Sequence, residues 1–283
     1  MGATTDLDVV DTGRYPVSEP ESPAWWAVVE RVRAELATEG CSVVPDFIRP
    51  ALHEALRAEC ATVAPLAHFD VETVNVYNVD VDDDLPQDHP ARTPMRRENA
   101  FTARDLIPRD TIIHRLYTDS RFQRFVAACF GLPEVYELAD PLAGLCLNVV
   151  APGKGHPWHF DTNEFAVSLL TQEPERGGVF EYCPEIRSAS AENFADVKAV
   201  IEGRDQQRAH RLTLRPGDLQ LFRGRYALHR VTTVEGERQR HTAIFSYSER
   251  PGVVGSPART RQLFGRVLPE HRARAVRVDE LLD

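Results

Sequence analysis

The chain has 283 residues and a formal charge of −10, with 42% apolar and 27% charged residues. This balance is ordinary for a globular protein with a sizeable core and excludes a disordered chain. The acidic charge and the scattered arginines argue against nucleic acid or an anionic membrane as the main partner, because clustered cations hold both.

The N-terminal sequence and the cysteines indicate a cytoplasmic protein. Residues 1–20 are acidic, carry Pro16 and Pro20, and lack the basic and apolar regions of a signal peptide. No apolar run approaches the roughly 18 residues that span a bilayer. The five cysteines are widely spaced, without a Cys-x-x-Cys pair, which favours reduced thiols. The oligomeric state stays open, with a homodimer as one option.

Helices dominate the first half of the predicted structure. Residues 1–20 are expected to form a flexible arm. Ser22 and Pro23 are a good N-cap and first residue for a helix that Gly40 ends. Further helices are predicted from Pro50 to about Val63, over 105–117 and over 120–130, and strands over 41–48, 69–81 and 134–138.

Residues 89–103 lack periodicity and are predicted to form a long loop. The segment holds Arg92, Arg96 and Arg97. Loops of this length often bind ligands, so one of these arginines is a candidate clamp for a substrate carboxylate. A solvated basic loop is the alternative interpretation.

Short strands dominate the second half. They are predicted over 145–150, 165–171, 179–183, 209–214, 219–222, 229–234 and 239–248, with a helix over 191–202. Many short strands with Gly and Pro turns indicate a sandwich or barrel. We therefore predict a mainly β fold with flanking helices, in which 21–283 form a single domain. Helical support is expected over 21–135, the β core over about 140–250 and a helical cap over 256–283.

A metal site is predicted around His159, Asp161 and His229. Side chains two apart on a strand leave the same face, so His159 and Asp161 should point together. Two imidazoles and one carboxylate form the facial triad of non-haem Fe(II) oxygenases, which leaves positions open for co-substrate and dioxygen. A His-x-Asp pair alone is common by chance, and a lone histidine is more often a satisfied polar residue. The order of strand, Gly-Asp turn, His229 and then Arg240 favours the metal site.

The segment DPLAGLCLNVVAPGKGHPWHFDTNEFAVSLLTQ at 140–172, with the motifs of 216–248, resembles the Fe(II)/2-oxoglutarate-dependent oxygenases. It is similar to their amino-acid branch, which contains the BesD-type lysine halogenases and hydroxylase relatives. The resemblance covers about 69–265. It implies a double-stranded β-helix (jelly-roll, cupin-like) core, with Fe(II), 2-oxoglutarate and O2 as cofactor and co-substrates.

The resemblance also implies roles for individual residues. Arg240, on the same face as Thr242, would meet the far carboxylate of 2-oxoglutarate, with Arg238 as its rival on the same strand parity. Asn148, a polar residue in an apolar strand, is either a structural residue or a cofactor contact. In the halogenases a glycine replaces the triad carboxylate and leaves room for chloride. Asp161 fills that position, so we expect hydroxylation.

The expected substrate is a free amino acid, with lysine or another polar amino acid as the leading candidate. By similarity, His156 would contact the substrate, and Arg96 or Arg97 would bind its carboxylate. Glu164 and Asp140 are candidates for receiving a side-chain amine. Trp158 and His241, of opposite strand parity to the ligands, are expected to be structural.

Three alternatives to this hypothesis stay open. One is the same chemistry on another small metabolite. A second is a cupin-like metal-binding protein without turnover, which would have no need of Arg240. The third is a zinc hydrolase with an activated water, for which no general-base Glu stands at a recognised spacing.

Overall fold

The computed structural model describes residues 9–163, 165–272 and 281–282. The helices are α1 (Pro23–Glu39), α2 (His53–Val63), α3 (Ile112–Thr118), α4 (Ser120–Phe130), α5 (Phe194–Ile201) and α6 (Pro257–Phe264). Short 3-10 turns lie at Pro50–Leu52, Ala64–Leu66, Pro90–Arg92, Arg104–Leu106, Gln206–Arg208 and Pro269–Arg272. None of the helices in these ranges is long and apolar enough to cross a membrane.

The strands are mostly short. They are β1 (Cys41–Val44), β2 (Glu72–Val74), β3 (Met95–Arg97), β4 (Ala100–Thr102), β5 (Tyr136–Glu137), β6 (Leu145–Val150), β7 (His156–His159), β8 (Ala166–Gln172), β9 (Arg176–Gly177), β10 (Phe180–Cys183), β11 (His210–Leu212), β12 (Leu219–Phe222), β13 (Leu228–Val231), β14 (Val234–Glu235), β15 (Arg240–Phe245) and β16 (Tyr247–Ser248).

Two antiparallel sheets face each other and form the core. The larger sheet has the order β1-β12-β8-β15-β6-β4, and the smaller has the order β11-β10-β13-β7. Phe180 of the smaller sheet lies edge-on to Phe222 of the larger, with ring centroids 5.3 Å apart. Tyr182 and Val231 join them in one buried cluster between the sheets. The predicted mainly β, jelly-roll fold is confirmed.

The two faces of the larger sheet differ in polarity. Leu145, Leu147 and Val149 of β6 belong to the main apolar core, which they share with residues of α1 to α4. Because side chains alternate along a strand, Asn148 points to the opposite face, toward the smaller sheet. The helices therefore cover one face, and the other face lines an interior that holds polar groups.

The predicted start and end of α1 are confirmed. The hydroxyl of Ser22 accepts a hydrogen bond from the backbone N–H of Trp25, and Pro23 occupies the first turn. Gly40 ends the helix in the left-handed conformation, at a φ of 67°, and its N–H donates to the carbonyl of Leu36. Both ends thus follow from local sequence, through side-chain capping and the freedom of glycine at positive φ.

The described part of the predicted N-terminal arm is packed on the body of the protein. Val9 and Val10 are buried, as are Tyr15 and Val17. Val10 forms an antiparallel bridge with Ile48. The expectation of a flexible arm is wrong for residues 9–20, because these apolar side chains outweigh the acidic and proline content on which it was based. Residues 1–8 lie outside the described ranges.

The segment before the core also differs from expectation. The predicted strand over 69–81 is reduced to β2, and the predicted loop over 89–103 contains β3 and β4. β2 pairs with β3, with Glu72 opposite Arg97, and β4 pairs with β6, with Phe101 opposite Asn148. Strands β3 and β4 form because they pair with distant segments. Their local sequence is rich in charged residues and does not have the alternating pattern of a strand. The pairing places Arg97 on a strand next to the core.

The C-terminal segment is helical in part, over α6 and the turn Pro269–Arg272. His271 is fully buried and lies 3.1 Å from Oδ1 of Asp140 through its Nε2. This contact ties the segment to the start of the core. The rest of the predicted helical cap, over 273–280, lies outside the described residues.

Candidate active site

Strand pairing brings the two predicted histidine ligands together. His159 of β7 lies directly opposite His229 of β13 in the smaller sheet. Their ring centroids are 4.1 Å apart, and both side chains are buried. The register of one antiparallel pair thus places side by side two imidazoles that are far apart in sequence.

Asp161 completes the group from the loop that follows β7. Its Oδ1 lies 3.5 Å from Nε2 of His229 and 3.9 Å from Nε2 of His159. Two backbone bonds position this loop: the N–H of Phe160 donates to the carbonyl of Val76, and the N–H of Asp161 donates to that of Gly224, each at 3.1 Å. The sequence predicts one strand through His159 and Asp161, whereas β7 ends at His159, two residues before the carboxylate. The side chains of the two residues nevertheless converge as expected.

The backbone fixes the tautomer of both histidines. Nδ1 of His159 lies 2.8 Å from the carbonyl of Pro157, and Nδ1 of His229 lies 2.9 Å from that of Ala227. A carbonyl only accepts, so each Nδ1 carries the hydrogen and each Nε2 keeps a lone pair. Imidazoles that bind metals are commonly oriented in this way.

The electrostatics suit metal binding. Burial, reinforced by the neighbouring His156 and His229, lowers the pKa of His159 well below its usual value. Burial would raise the pKa of Asp161, but the histidines at its side outweigh this and lower it. A neutral imidazole thus stands beside an ionised carboxylate. All the donor atoms lie within 4.8 Å of one another, and two nitrogens with one oxygen fit Fe(II) and leave adjacent coordination positions open.

A second polar group lies in the interior on the face of the larger sheet. Arg240 is 4% exposed and donates a hydrogen bond to the hydroxyl of Thr242. Thr242 pairs with Asn148 across the strands. The side-chain carbonyl of Asn148 accepts a hydrogen bond from the side-chain amide of Asn99 at 3.0 Å. Within the described residues, Oδ1 of Asn99 is buried without a partner. Interior polar groups of this kind can receive a charged ligand.

Arg240 carries a charge that no carboxylate of the described residues balances. Burial alone lowers its pKa to about 10, so the guanidinium is still protonated at neutral pH. Its rival Arg238 is exposed and donates to the backbone carbonyl of Glu173 at 2.8 Å. Of the two arginines, Arg240 is therefore the one in the interior, where it can bind a carboxylate by a planar, two-pronged contact.

His156 stacks on the first of the histidines. Its ring lies 3.8 Å from that of His159, at an interplanar angle of 22°. It is buried, and no described residue forms a hydrogen bond with either of its ring nitrogens. His156 is thus packed against the metal-binding group with its polar atoms available for a ligand.

Arg96 and Arg97 have opposite environments. Arg97 is 2% exposed and donates from Nε and Nη2 to Oε2 of Glu72, at 3.1 and 2.6 Å. The side chain of Arg96 is 68% exposed and pairs with Glu98. Successive residues on a strand point to opposite faces, so only one of the two can face the core. Arg96 therefore points away from the core, toward solvent.

The structure also separates the remaining sequence candidates. Glu164 lies outside the described residues. Asp140 is fully buried and accepts from the backbone N–H groups of Leu142, Ala143 and Gly255. Its carboxylate is occupied by structural bonds, so its suggested role as an amine receptor is wrong.

Trp158 and His241, which the sequence predicts to be structural, have these surroundings. Trp158 packs into an apolar cluster that also contains Phe160, with the guanidinium of Arg230 4.5 Å from its ring centre. His241 is buried, its Nε2 lies 3.0 Å from Oε1 of Gln239, and burial lowers its pKa to about 4. Its Nδ1 has no hydrogen-bond partner among the described residues.

Sequence reasoning missed three residues around the site. Gly224 supplies the carbonyl that holds Asp161, and Asn99 supplies the amide that meets Asn148. Arg259 of α6 lies close enough for its charge to lower the pKa of both Asp161 and His156. Nothing in the local sequence marks these positions, because each acts through contacts with distant segments.

Comparison with known proteins identifies the class. The sequence matches the Halogenase D family over residues 25–255. Among solved structures, the fold resembles a prolyl hydroxylase from Trichoplax adhaerens in complex with a hypoxia inducible factor peptide fragment, with 14% identity, TM-score 0.51, and 81% of this chain and 94% of that chain covered. It also resembles AviO1 from Streptomyces viridochromogenes, with 16% identity, TM-score 0.50, and 81% and 97% covered. No protein with a curated function matches the sequence.

A jelly-roll sandwich with this His-Asp-His group between its sheets is a non-haem iron oxygenase that uses 2-oxoglutarate. Its cofactor is Fe(II), and its co-substrates are 2-oxoglutarate and O2. Since the family match spans more than half of the sequence, the chain belongs to the Halogenase D family.

Proposed function

We propose that this oxygenase hydroxylates an unactivated C–H bond of a free amino acid, with lysine or another polar amino acid as the leading candidate. His159, Asp161 and His229 hold its iron. The observation that carries the proposal is the Asp161 carboxylate, 3.5 Å from one imidazole and 3.9 Å from the other. The similar halogenases have glycine at this position and bind chloride there. A carboxylate in that place favours transfer of oxygen to the substrate.

The proposed reaction consumes one molecule of O2 for each substrate molecule. The substrate R–H, 2-oxoglutarate and O2 give R–OH, succinate and CO2, so one oxygen atom enters the product and the other enters succinate. Bound Fe(II) supplies the activation of O2. The chain supplies position: it holds the ion and the co-substrate at fixed sites and keeps the target C–H bond close to the metal.

Arg240 anchors the distal carboxylate of 2-oxoglutarate in this proposal. Its charge is buried, it is held by the hydroxyl of Thr242, and no described carboxylate neutralises it. The amides of Asn148 and Asn99 lie on the same interior face and offer neutral contacts for the co-substrate. A dicarboxylate that enters this space replaces lost hydration with charge-assisted hydrogen bonds.

His156 and Arg97 position the substrate. Both side chains are buried, and Arg97 lies close enough for its charge to contribute to the lowered pKa of His156. A neutral imidazole can accept from an amine or donate to a carboxylate, and a guanidinium binds a carboxylate. Together they fit the backbone end of an amino acid.

A succinate assay tests the proposal. Enzyme, Fe(II), 2-oxoglutarate and each free amino acid are combined in air, with and without chloride, and products are analysed by mass. We expect succinate coupled to a gain of one oxygen for a small set of amino acids. His159→Ala and His229→Ala should abolish turnover, and His210→Ala, at an exposed histidine, should not.

The reaction, the substrate class and the metal ligands can each be contradicted by a different result. A chlorinated product from the wild type would reject hydroxylation. Coupled succinate formation only with compounds other than amino acids would reject the substrate class and keep the reaction. Full activity of either histidine variant at the site would remove that residue from the metal.

A further inference from the structure

The helix that follows the jelly roll reaches the active site. Phe264 of α6 packs edge-on to Phe101, with centroids 6.4 Å apart. Phe101 in turn packs edge-on to His156, at 6.3 Å. These contacts connect α6 with the histidine that stacks on the metal-binding pair. The helix therefore packs close to the metal-binding group, on the side of His156.

Two guanidinium groups meet at Gln262 of this helix. Nη2 of Arg97 donates to the backbone carbonyl of Gln262 at 2.9 Å. Arg259, one turn earlier on the same helix face, donates to the side-chain carbonyl of that same Gln262. Gln262 thus accepts from both arginines, one through its backbone and one through its side chain.

The charges around this pair leave a positive excess. Glu72 neutralises Arg97 through Nε and Nη2. Within the described residues, no carboxylate forms an ion pair with Arg259. Burial and the repulsion from Arg97 lower the pKa of Arg259 to about 10, against the attraction of Asp161 and Glu72. Two like charges held close together without a second counter-charge are unfavourable, and an anion that binds between them relieves the repulsion.

We propose that Arg259 binds the carboxylate of the substrate, together with Arg97, so that the C-terminal helix contributes directly to substrate recognition. The inference rests on the proposed amino-acid oxygenase function and extends it. Arg97 is held in place by Glu72. The guanidinium of Arg259 donates to the neutral Gln262 and, among the described residues, has no carboxylate partner, so its full charge is left for the ligand. An anion between them would lie on the His156 side of the metal, apart from the distal carboxylate of 2-oxoglutarate at Arg240.

The test compares Arg259→Gln and Arg259→Lys with Arg261→Gln. Arg261 is an exposed arginine on the same helix, two residues on and therefore on a different face. The probes are the free L-amino acids and their primary amides, which lack the carboxylate charge. Binding is followed without turnover, by the charge-transfer absorbance of the anaerobic Fe(II) and 2-oxoglutarate complex and its change on adding the probe.

We expect wild type and Arg261→Gln to bind an amino acid and to bind its amide weakly. Arg259→Gln should bind the amino acid roughly tenfold or more weakly and lose the preference over the amide, as removal of one charged hydrogen bond predicts. Arg259→Lys should recover part of the affinity. Arg261→Gln, which lies off the proposed site, should keep the wild-type affinity for 2-oxoglutarate and the wild-type rate of substrate-independent succinate formation.

Several results would overturn the inference. It fails if Arg259→Gln binds the amino acid like Arg261→Gln, or if its main defect is in 2-oxoglutarate binding. It also fails if no free amino acid perturbs the wild-type complex. In each of these cases succinate formation by the wild type would leave the oxygenase intact. Absence of both the absorbance and succinate in the wild type would instead contradict the proposed function itself.

Discussion

Gly224 lies directly against the carboxylate of Asp161. A Cβ atom at position 224 would fall 1.9 Å from Oδ2 of Asp161 and 2.7 Å from its Cγ. The backbone carbonyl of the same glycine accepts a hydrogen bond from the backbone N–H of Asp161. The absence of a side chain at this position is therefore what allows the carboxylate to turn toward the two histidines.

Gly224→Ala should consequently weaken metal binding more than folding. The added methyl group must displace the Asp161 carboxylate, and disturbed support of a ligand typically costs 10-fold to 100-fold in metal affinity or activity. Titration with Fe(II) and thermal unfolding measure the two effects. Gly13→Ala is the control, since its Cβ would meet only Asp11 at an ordinary 3.5 Å. Equal Fe(II) affinity in the two variants would show that the loop accommodates the methyl group.

Arg240→Gln should raise the KM for 2-oxoglutarate, with a much smaller effect on the substrate. Loss of a charge-assisted contact with a carboxylate is worth about 1.5–3 kcal/mol, which corresponds to roughly 10-fold to 150-fold. Steady-state assays that vary each ligand separately measure this. Arg238→Gln is the matched control, because Arg238 is exposed and bonds to backbone carbonyls. A larger effect in the control would transfer the assignment to Arg238.

The three metal ligands can be predicted from the sequence because each is marked by a short local pattern. His159 and Asp161 are separated by one residue, and the position of His229 at the start of a strand is visible in the pattern. The pairing of β7 with β13, which sets the two imidazoles opposite each other, is a matter of register between distant strands. No local pattern determines it.

The substrate side was less accessible. The sequence predicts a loop for the segment of Arg96 and Arg97, and a loop does not tell which of the two side chains is buried. In a strand, the side chains of successive residues point to opposite faces. The pairing of β2 with β3 supplies that assignment and brings Glu72 opposite Arg97. Arg259 stands among other arginines in the C-terminal segment, and only the packing of α6 against Phe101 distinguishes it.

The cysteines should be unreactive in the native protein. All five are buried and free. Burial raises the pKa of Cys41, Cys60, Cys146 and Cys183 to about 12, and it raises that of Cys129 also. Thiolate is the reactive form, so both access and ionisation oppose modification.

Titration with an aromatic disulfide reagent measures this at neutral pH. We expect almost no reaction in buffer within minutes and reaction of all five thiols in denaturant. Ala258→Cys, at an exposed position of α6, should react at once and serves as the positive control. Rapid native reaction of any one thiol would mean that its surroundings open readily.

Asp140→Asn should destabilise the protein by about 3 kcal/mol, because it disrupts a buried, fully bonded carboxylate. The matched control is Asp105→Asn, since Asp105 pairs with Arg266 of the same C-terminal segment but both side chains are 39% exposed. We expect the control to cost under about 1 kcal/mol. Denaturant unfolding monitored by circular dichroism measures both, and equal losses would contradict the structural role of Asp140.

The effect of Asp140 should also depend on pH. Burial would raise the pKa of Asp140, but the N–H groups of Ala143, Gly255 and Leu142 and the contact with His271 outweigh it and lower that pKa. The ionised carboxylate therefore contributes fully above the unfolded pKa of about 4, and the contribution is lost as the pH falls through the folded value. The stability difference between wild type and Asp140→Asn should be constant from about pH 7 to pH 5 and shrink below about pH 4. A difference that grows on acidification would reverse this assignment.

His156→Phe separates packing from substrate contact. Phenylalanine can keep the stack on His159 and the edge contact with Phe101, but it has no nitrogen for the ligand. The affinities for iron and 2-oxoglutarate should thus stay within about twofold of the wild-type values. The KM for the substrate should rise roughly tenfold or more, because a hydrogen bond to a charged group is lost. Trp158→Phe, in the neighbouring apolar cluster, should leave that KM unchanged. If His156→Phe instead loses iron while its substrate KM is unaltered, the ring of His156 acts by supporting His159, and the amino acid is recognised elsewhere.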